Sequence, residues 1–272
     1  MTERTERSWV PDGLLLDKPN PARLYDYFLG GFHNFAADRE LADAVAGFYP
    51  EVRVGTVAQR AFVRRVVRFL VGRGIDQFLD LGSGLPTAGN VHQAAQAADP
   101  AVRVVYVDND PVVLAHSQML LEDDPNTTLI CEDLRDTEAI LNHEDVAALL
   151  DLSRPLVLMS NAVLHYVTDD AQAYGAIRRL VEPLVPGSYA TISHVSFDGA
   201  SREVLDKARE VYRAAAEVTV RTREQIRQFF DGLELVEPGV VRGPLWRPES
   251  PDDVLLDHPE RYLGFVGVGR KV

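Results

Sequence analysis

The chain has very little cysteine: Cys131 is the single one among 272 residues. An internal disulfide and a cysteine-based zinc cluster are therefore excluded. The chain also lacks an apolar run long enough to span a bilayer. Residues 1–8 are polar and charged, unlike a signal peptide. These absences predict a cytoplasmic protein without a membrane partner.

Basic residues are scarce relative to acidic ones. The chain carries 28 Lys and Arg against 41 Asp and Glu, which gives a formal net charge of −13. Such a field repels nucleic acid phosphates and anionic lipids, so nucleic acid is not expected as a partner. The strongest local exception is a basic stripe that we interpret as the solvent-facing side of a helix: Arg60, Arg64, Arg65 and Arg68.

The first 74 residues have no strand pattern of their own. Asn20-Pro21 pairs a capping residue with a proline at the first helical position, and Gly30-Gly31 ends that helix. A second helix is predicted to run to about Phe48, and a third covers roughly Glu51 to Gly72. We expect residues 1–74 to form a helical cap on the rest of the chain.

From residue 76 onwards, apolar strand patterns alternate with helical ones. This alternation predicts an α/β fold with a doubly wound, mostly parallel sheet and helices on both faces, in residues 75–272. The two closing strands have no helix between them and should pair antiparallel. The first predicted strand ends at Leu81, and the other six cover 102–107, 127–131, 156–160, 189–195, 233–241 and 262–268. The predicted helices cover 87–98, 111–121, a stretch from after 136 to about 150, 170–184, 201–217 and 222–230.

The first strand ends in a glycine-rich turn, Asp80-Leu81-Gly82-Ser83-Gly84. Gly82 and Gly84 allow positive φ and a close approach of a ligand, and the helix start beyond them offers free N–H groups. A dinucleotide fingerprint would need a third glycine where Thr87 stands. The carboxylate of Asp80 would repel a pyrophosphate but suits the ammonium group of S-adenosylmethionine (SAM). A strand–turn–helix that binds no ligand is the alternative.

Polar residues also follow the next predicted strands, and ligands of parallel sheets bind beyond these strand ends. Asp108 is expected to accept hydrogen bonds from both ribose hydroxyls. Asp133 lies where an adenine amino group would be, with the N–H of Leu134 facing a ring nitrogen. Either aspartate could instead be a helix N-cap, although Asp110 fills that role beside Asp108. Four neighbouring residues complete the candidate set at these strand ends: Ser83, Asn109 and, after the fourth strand, Ser160 with Asn161.

The chain from about residue 75 to its end resembles a class I SAM-dependent methyltransferase, through Asp80-Leu81-Gly82-Ser83-Gly84, Tyr106-Val107-Asp108, Glu132-Asp133-Leu134 and the stretch Val157–Tyr166. Nearly the whole chain resembles, more narrowly, an actinobacterial S-adenosyl methyltransferase family of the domain-of-unknown-function type, with an N-terminal helical cap. The resemblance implies SAM as cofactor, S-adenosylhomocysteine (SAH) as product, and a seven-stranded Rossmann-like sheet whose last strand is antiparallel. It supplies no acceptor. The narrower family's marks are Pro19-Asn20-Pro21-Ala22-Arg23, Tyr25-Asp26-Tyr27, Leu29-Gly30-Gly31, Asn34-Phe35-Ala36-Ala37-Asp38-Arg39, Gly84-Leu85-Pro86-Thr87 and Val107-Asp108-Asn109-Asp110-Pro111.

The cap is then expected to cover the cofactor crevice. Tyr25, His33 and Asn34 are unusual in a plain amphipathic helix pair. We expect them to contact the methionine end of SAM and to help shape the acceptor pocket. The alternative places Tyr25 and Phe35 in the core and His33 on the surface.

Methyl transfer from a sulfonium is an in-line displacement, so the protein must chiefly align donor and acceptor in a dry pocket. A general base is needed only when the attacking atom must lose a proton. His165 is the candidate, His194 a weaker one, and a structural role is the alternative for each. Neither Asn-Pro-Pro-Tyr nor Asp-Pro-Pro-Tyr follows the fourth strand, which argues against methylation of nucleic acid amino groups.

We therefore expect a small-molecule acceptor, and the sequence is compatible with a homodimer. Two other functions stay open at this point. One is an NAD-dependent oxidoreductase, and the other is a SAM-binding protein without transferase activity.

Overall fold

Seven strands form one sheet in the part of the chain that the structure describes, with the order β3-β2-β1-β4-β5-β7-β6. The computed structural model describes residues 18–85, 89–207 and 218–272. Pairing is parallel from β3 to β5, whereas β7 runs antiparallel to both β5 and β6. The predicted doubly wound sheet with an antiparallel last strand is confirmed. The strands are β1 (Gln77–Leu81), β2 (Arg103–Asp108), β3 (Thr127–Cys131), β4 (Val157–Asn161), β5 (Tyr189–Val195), β6 (Glu234–Leu235) and β7 (Gly264–Arg270).

Helices cover both faces of this sheet. Local capping explains where several of them begin: Asn20 accepts a hydrogen bond from the N–H of Ala22 at 2.8 Å, and Asp110 accepts one from Val112 at 2.8 Å. No helix in the described ranges is long and apolar enough to cross a membrane. The helices are α1 (Pro21–Phe28), α2 (Ala36–Phe48), α3 (Val52–Val71), α4 (Val91–Gln96), α5 (Pro111–Leu121), α6 (Thr137–Leu141), α7 (Glu144–Leu149) and α8 (Asp170–Val181), followed by residues 202–207 and a short helix Arg223–Arg227.

The alternation of side chains along β1 divides the core into two layers. Leu79 and Leu81 belong to a cluster with α6, α7 and α8, whereas Phe78 packs with the apolar side of α3. Successive strand residues point to opposite faces, so Asp80 lies on the face that α3 covers. Because α3 is part of this core, we propose that the cap consists of α1 and α2 alone, rather than of all residues 1–74.

Two predicted helices differ in extent. The helix predicted from Thr87 begins at Val91 instead, where the side chain of Gln93 accepts hydrogen bonds from the N–H groups of Gly89 and Asn90. Residues 86–88 lie outside the described part of the chain. The helix predicted to reach about residue 150 is two helices, α6 and α7. The second starts afresh because His143 Nδ1 accepts a hydrogen bond from the N–H of Asp145 at 3.2 Å.

The strand predicted over 233–241 is much shorter. Only β6 pairs regularly with β7, and Val241 forms a separate bridge to Val266. Pro238 has no N–H to donate, and Gly239 has a φ of 83° in a turn closed by its N–H to Val236 O. These two residues interrupt the ladder. In the helix predicted over 201–217, residues 202–207 are helical and 208–217 lie outside the described ranges.

The basic stripe on α3 is not a solvent-facing side, and that prediction is wrong for two of its four members. Arg65 is only 4% exposed and donates to Trp246 O at 3.0 Å and Gly243 O at 2.8 Å. Arg60 lines the cavity described below. Of the four arginines, Arg68 alone is clearly exposed, and it forms an ion pair with Glu249. The chain's C-terminal loop packs over α3, which a helical pattern by itself could not predict.

Candidate functional site

A cavity of about 480 Å³ lies at the carboxyl ends of β1, β2 and β4. This is the edge at which parallel α/β sheets bind ligands. Helices α1 and α3 contribute to its wall through Tyr25 and Arg60, respectively. The predicted site residues that line it are Tyr25, Asp80, Gly82, Ser83, Gly84, Asp108, Asn109, Asp133, Leu134, Asn161 and His165.

The glycine turn after β1 has the backbone conformation that its sequence predicts. Gly82 and Gly84 have φ values of +64° and +66°. The N–H of Gly82 donates to Val107 O at 2.7 Å, which anchors the turn to β2. A Cβ on Gly82 would lie 2.3 Å from Val163 Cγ2 in the loop after β4. The two loops therefore meet at a distance that only glycine permits at position 82.

Asp108 holds this turn in place. Its Oδ2 accepts a hydrogen bond from the N–H of Gly84 at 2.8 Å, and its Oδ1 accepts one from Asp110 at 3.0 Å. Burial raises the pKa of Asp108, while these two N–H groups act in the opposite direction. A carboxylate oxygen has more than one acceptor site, so both oxygens can still take a further hydrogen bond.

The side chain of Asp80 differs from that of Asp108 because its carboxylate has no hydrogen-bond partner among the described residues. It is only 8% exposed and lies in the cavity wall. Burial raises its pKa to about 7; the Coulombic effect of Asp108 adds to this shift, and that of Arg60 opposes it. Buried carboxylates are normally hydrogen-bonded. Asp80 is thus a buried acceptor facing the cavity, and Asp108, not Asp80, holds the loop backbone.

Asp133 is already engaged by a neighbour. Its carboxylate accepts hydrogen bonds from Arg135 Nε at 2.8 Å and Nη2 at 2.5 Å, and the Arg135 bond lowers the pKa of Asp133. The N–H of Leu134 has no acceptor within the described ranges. The main-chain donor next to Asp133 is therefore more available to a ligand than the Asp133 side chain.

Three predicted residues do not line the cavity in this structure. His33 N and Asn34 Nδ2 donate to Asp26 Oδ2 at 2.8 and 2.9 Å, in the turn between α1 and α2. The His33 side chain is 45% exposed. Ser160 is buried inside β4, behind the strand end. Asn161, one position later, reaches the wall, and its buried Oδ1 has no hydrogen-bond partner in the described chain.

His165 lies on a 3₁₀ turn, Leu164–Tyr166, after β4. Its buried Nδ1 has no hydrogen-bond partner among the described residues. Burial holds its pKa well below the usual value for histidine, and His194 and Arg221 lower it further. The side chain is therefore a neutral imidazole at neutral pH. Arg221 fixes this turn by donating to Leu164 O at 3.0 Å and Val167 O at 2.9 Å.

His194 is less suited to act as a base because both of its ring nitrogens are engaged. Its Nε2 lies 2.9 Å from Arg221 Nη1, which can only donate. The proton must then be on Nδ1, which donates to Val195 O at 2.7 Å. Burial lowers the pKa of His194 to about 4.

Sequence reasoning missed a second group of lining residues. Gln59 Nε2 donates to Ser193 Oγ at 2.7 Å, and Gln59 Oε1 accepts from the hydroxyl of Tyr262. Ser193 Oγ also accepts from the N–H of Ala162 at 2.9 Å. The sequence feature that could have indicated this group is the polar pair Gln59-Arg60 inside an apolar helical pattern. Nothing local links Gln59 to Tyr262, which is 203 positions away.

A family model for S-adenosyl methyltransferases matches residues 7–272. A DUF574 family protein from Streptomyces avermitilis is 39% identical with a TM-score of 0.89, covering 94% of this chain and 99% of that one. A presumptive methyltransferase from Thermobifida fusca is 45% identical with a TM-score of 0.88, covering 97% and 98%. An O-methyltransferase family protein from Burkholderia thailandensis, 14% identical with a TM-score of 0.52 over 83% of this chain and 62% of that one, shares the fold alone. No curated protein matches. The chain therefore belongs to the S-adenosyl methyltransferase family, as a SAM-dependent methyltransferase.

Proposed function

We propose that the cavity binds SAM beside a small-molecule acceptor and that methyl transfer takes place at the end of β4. One observation carries this proposal: Asp80 presents a buried carboxylate to the cavity with no partner among the described residues. An ammonium group is the natural partner for such a carboxylate.

The other donors and acceptors fit the remaining parts of the same cofactor. Asp108 has acceptor sites left for the ribose hydroxyls while it holds the Gly84 turn. The N–H of Leu134 suits an adenine ring nitrogen. The Asp133 carboxylate could accept a hydrogen bond from the adenine amino group while it keeps its bond with Arg135. The glycine turn leaves room for a ligand because Gly82 and Gly84 carry no side chain.

When bound, SAM supplies a sulfonium methyl group that is already activated for displacement. The task of the chain is to hold the two reactants in line and to exclude water. For an acceptor that attacks through a hydroxyl, His165 is the base in this proposal, because its neutral side chain lines the cavity and its Nδ1 has no hydrogen-bond partner among the described residues. Arg221 keeps the turn that carries His165 in place.

Isothermal titration calorimetry with SAM, SAH and NAD tests the cofactor. We expect SAM and SAH to bind and NAD not to bind. The variant Asp80→Asn should weaken SAM more than adenosine, which lacks the ammonium group. Tight binding of NAD without SAM would refute the proposal, and an equal loss for SAM and adenosine would assign Asp80 a structural role.

An acceptor screen then separates a transferase from a protein that only binds SAM. Incubation with methyl-labelled SAM and a small-molecule library should label at least one compound, and His165→Gln should slow the reaction when the acceptor is a hydroxyl. Three further features stay predictions from the sequence: the absence of a nucleic acid partner, a homodimer and a cytoplasmic location. Gel-shift assays, light scattering and cell fractionation test these in turn.

A further inference from the structure

A second charged group without a partner lies on the same cavity wall as Asp80. Arg60 projects from α3 into the cavity, and its Nε is buried without a hydrogen-bond partner. Within the described ranges, the guanidinium has no carboxylate within 4.0 Å. Its guanidinium carbon lies 5.1 Å from the centre of an aromatic ring, that of Tyr25. Arg60 and Asp80 thus influence each other electrostatically without forming an ion pair.

Arg60 as a whole is half-buried, and the three arginines that are fully buried are arranged differently. Arg23 bonds to Asp38 at 2.9 Å, Arg65 bonds to two carbonyl oxygens, and Arg221 bonds to Asp170 and three further acceptors. A charged group loses hydration in proportion to its burial, so even the half-buried Arg60 and the buried Asp80 are normally expected to have partners. A positive and a negative group that stay apart in one cavity, each with open hydrogen-bonding positions, match a ligand that carries both charges.

We propose that Arg60 binds the α-carboxylate at the methionine end of SAM, while Asp80 binds the ammonium group at the same end. This part of the cavity is then a site for a zwitterion. The inference rests on the proposed function, because it assigns a further residue to the same cofactor. A guanidinium suits this task because its planar fork can donate two parallel hydrogen bonds to a carboxylate.

The site also links the cofactor to the cap. Tyr25 lies on α1, and its ring faces the guanidinium of Arg60. Such a cation–π contact restricts the orientation of the fork. Tyr25 would then contribute to binding by positioning Arg60, and it need not bond to the ligand itself.

The test compares SAM with decarboxylated SAM, which keeps the ammonium group and the sulfonium but lacks the carboxylate. Calorimetry should show that the wild-type protein prefers SAM by about 10-fold to 100-fold, the range expected for charge-assisted hydrogen bonds. In Arg60→Gln the preference should fall to about twofold or less, with little change in the affinity for decarboxylated SAM. Arg64→Gln, on the same helix one turn further on and outside the cavity lining, is the matched control and should keep the wild-type preference.

Thermal unfolding checks that each variant is folded. If Arg60→Gln does not fold, Arg60→Lys replaces it, since lysine keeps the charge but loses the fork; its preference should fall below that of the wild type. A full preference for SAM in a folded Arg60 variant would overturn the zwitterion site, as would equal binding of both ligands by the wild type. Both results leave the proposed function standing, because SAM still binds. Failure of the wild type to bind SAM and SAH at all would instead refute the proposed function and this inference with it.

Discussion

Asp80 and Asp108 lie at the ends of neighbouring parallel strands, and the hydrogen bonds they form are very different. Asp108 bonds to two backbone N–H groups, one of which belongs to the glycine turn. The backbone of Asp80 belongs to the sheet, but its carboxylate, in the cavity wall, accepts no hydrogen bond from the described residues. Their positions in the sequence suggested a cofactor contact for both. The hydrogen bonds show a difference: Asp108 holds the glycine turn, whereas the Asp80 carboxylate has its acceptor sites open to a ligand.

The raised pKa of Asp80 predicts that SAM binding is linked to proton release. This pKa is about 7, so a substantial part of the carboxyl is protonated near neutrality. An ammonium group beside it favours the ionised form and lowers its pKa. Binding near pH 7 should therefore release protons, and the affinity should be lower about one unit below this pKa than about one unit above it.

Calorimetry in two buffers with different ionisation enthalpies measures this proton release directly. Asp80→Asn, which cannot titrate at this position, is the control and should release fewer protons than the wild type. Equal proton release by the two proteins would show that Asp80 does not interact with the ammonium group.

Gly82 is also predicted to be sensitive to substitution, for two separable reasons. Its positive φ alone costs a residue with a Cβ roughly 1–2 kcal/mol. The contact with Val163 adds a clash, because the new Cβ would lie 2.3 Å from Val163 Cγ2. We expect Gly82→Ala to lower the free energy of unfolding by more than the φ effect alone, and to weaken SAM binding.

Gly232→Ala is the matched control for Gly82→Ala. Gly232 has a φ of +84°, but a Cβ there would meet nothing within 4 Å. Chemical denaturation of both variants isolates the clash as the difference between them. The double variant Gly82→Ala with Val163→Ala should regain part of that difference. Equal destabilisation by the two glycine substitutions would show that the loops do not press on each other.

Two buried aspartates organise the cap at the level of its helices. Asp38 at the start of α2 accepts hydrogen bonds from Asn20 N at 2.8 Å, Arg23 Nε at 2.9 Å and Phe35 N at 2.8 Å. Asp26 at the end of α1 holds the following turn through His33 and Asn34. These bonds give a physical reason for the Asp26 and Asp38 positions of the cap motifs, which hold the helix pair together, whereas Tyr25 of the same motifs lines the cavity.

The cap is predicted to close more firmly when ligand is bound, because Tyr25 on α1 meets Arg60 of the cavity. Limited proteolysis at residues 30–34 should therefore be slower with SAH than without it. A cut that proceeds equally fast in both states would contradict the idea of a lid.

Deletion of residues 1–48 is the complementary experiment. It removes α1 and α2 but keeps Tyr49, whose hydroxyl donates to Arg261 O at 2.6 Å beside β7. The sheet and α3 should stay folded because their core does not depend on the cap, whereas tight SAM binding should be lost.

Elements whose signals are local could be predicted from the sequence. The Asn20 and Asp110 caps, most strands and the glycine turn follow from neighbouring residues. What failed depends on distant packing. Arg65 is buried because it bonds to Trp246 O, 181 positions along the chain. Arg60 lines the cavity because α3 turns that side towards the sheet. Helical spacing does not specify this orientation when basic residues occur on several sides of the helix.

At the scale of the whole molecule, the candidate site is assembled from segments that are far apart in the chain. Tyr25, Asp80, His165 and Tyr262 all contribute to one cavity wall. The charge of the chain suits this cavity: the net charge of −13 and the carboxylates of the strand ends favour the approach of a cationic ligand over an anionic one. The same excess of acid disfavours nucleic acid, in line with a small-molecule acceptor.

The position of β7 also determines when this cavity can exist during synthesis. Although β7 is the last strand described in the chain, it lies between β5 and β6, and Tyr262 with Leu263 just before it completes the cavity wall. While the ribosome is still making this segment, β5 has an unpaired edge and β6 has no partner. A nascent chain would therefore complete this cavity only after β7 has left the ribosome, and until then the edge of β5 stays open to pairing with other strands.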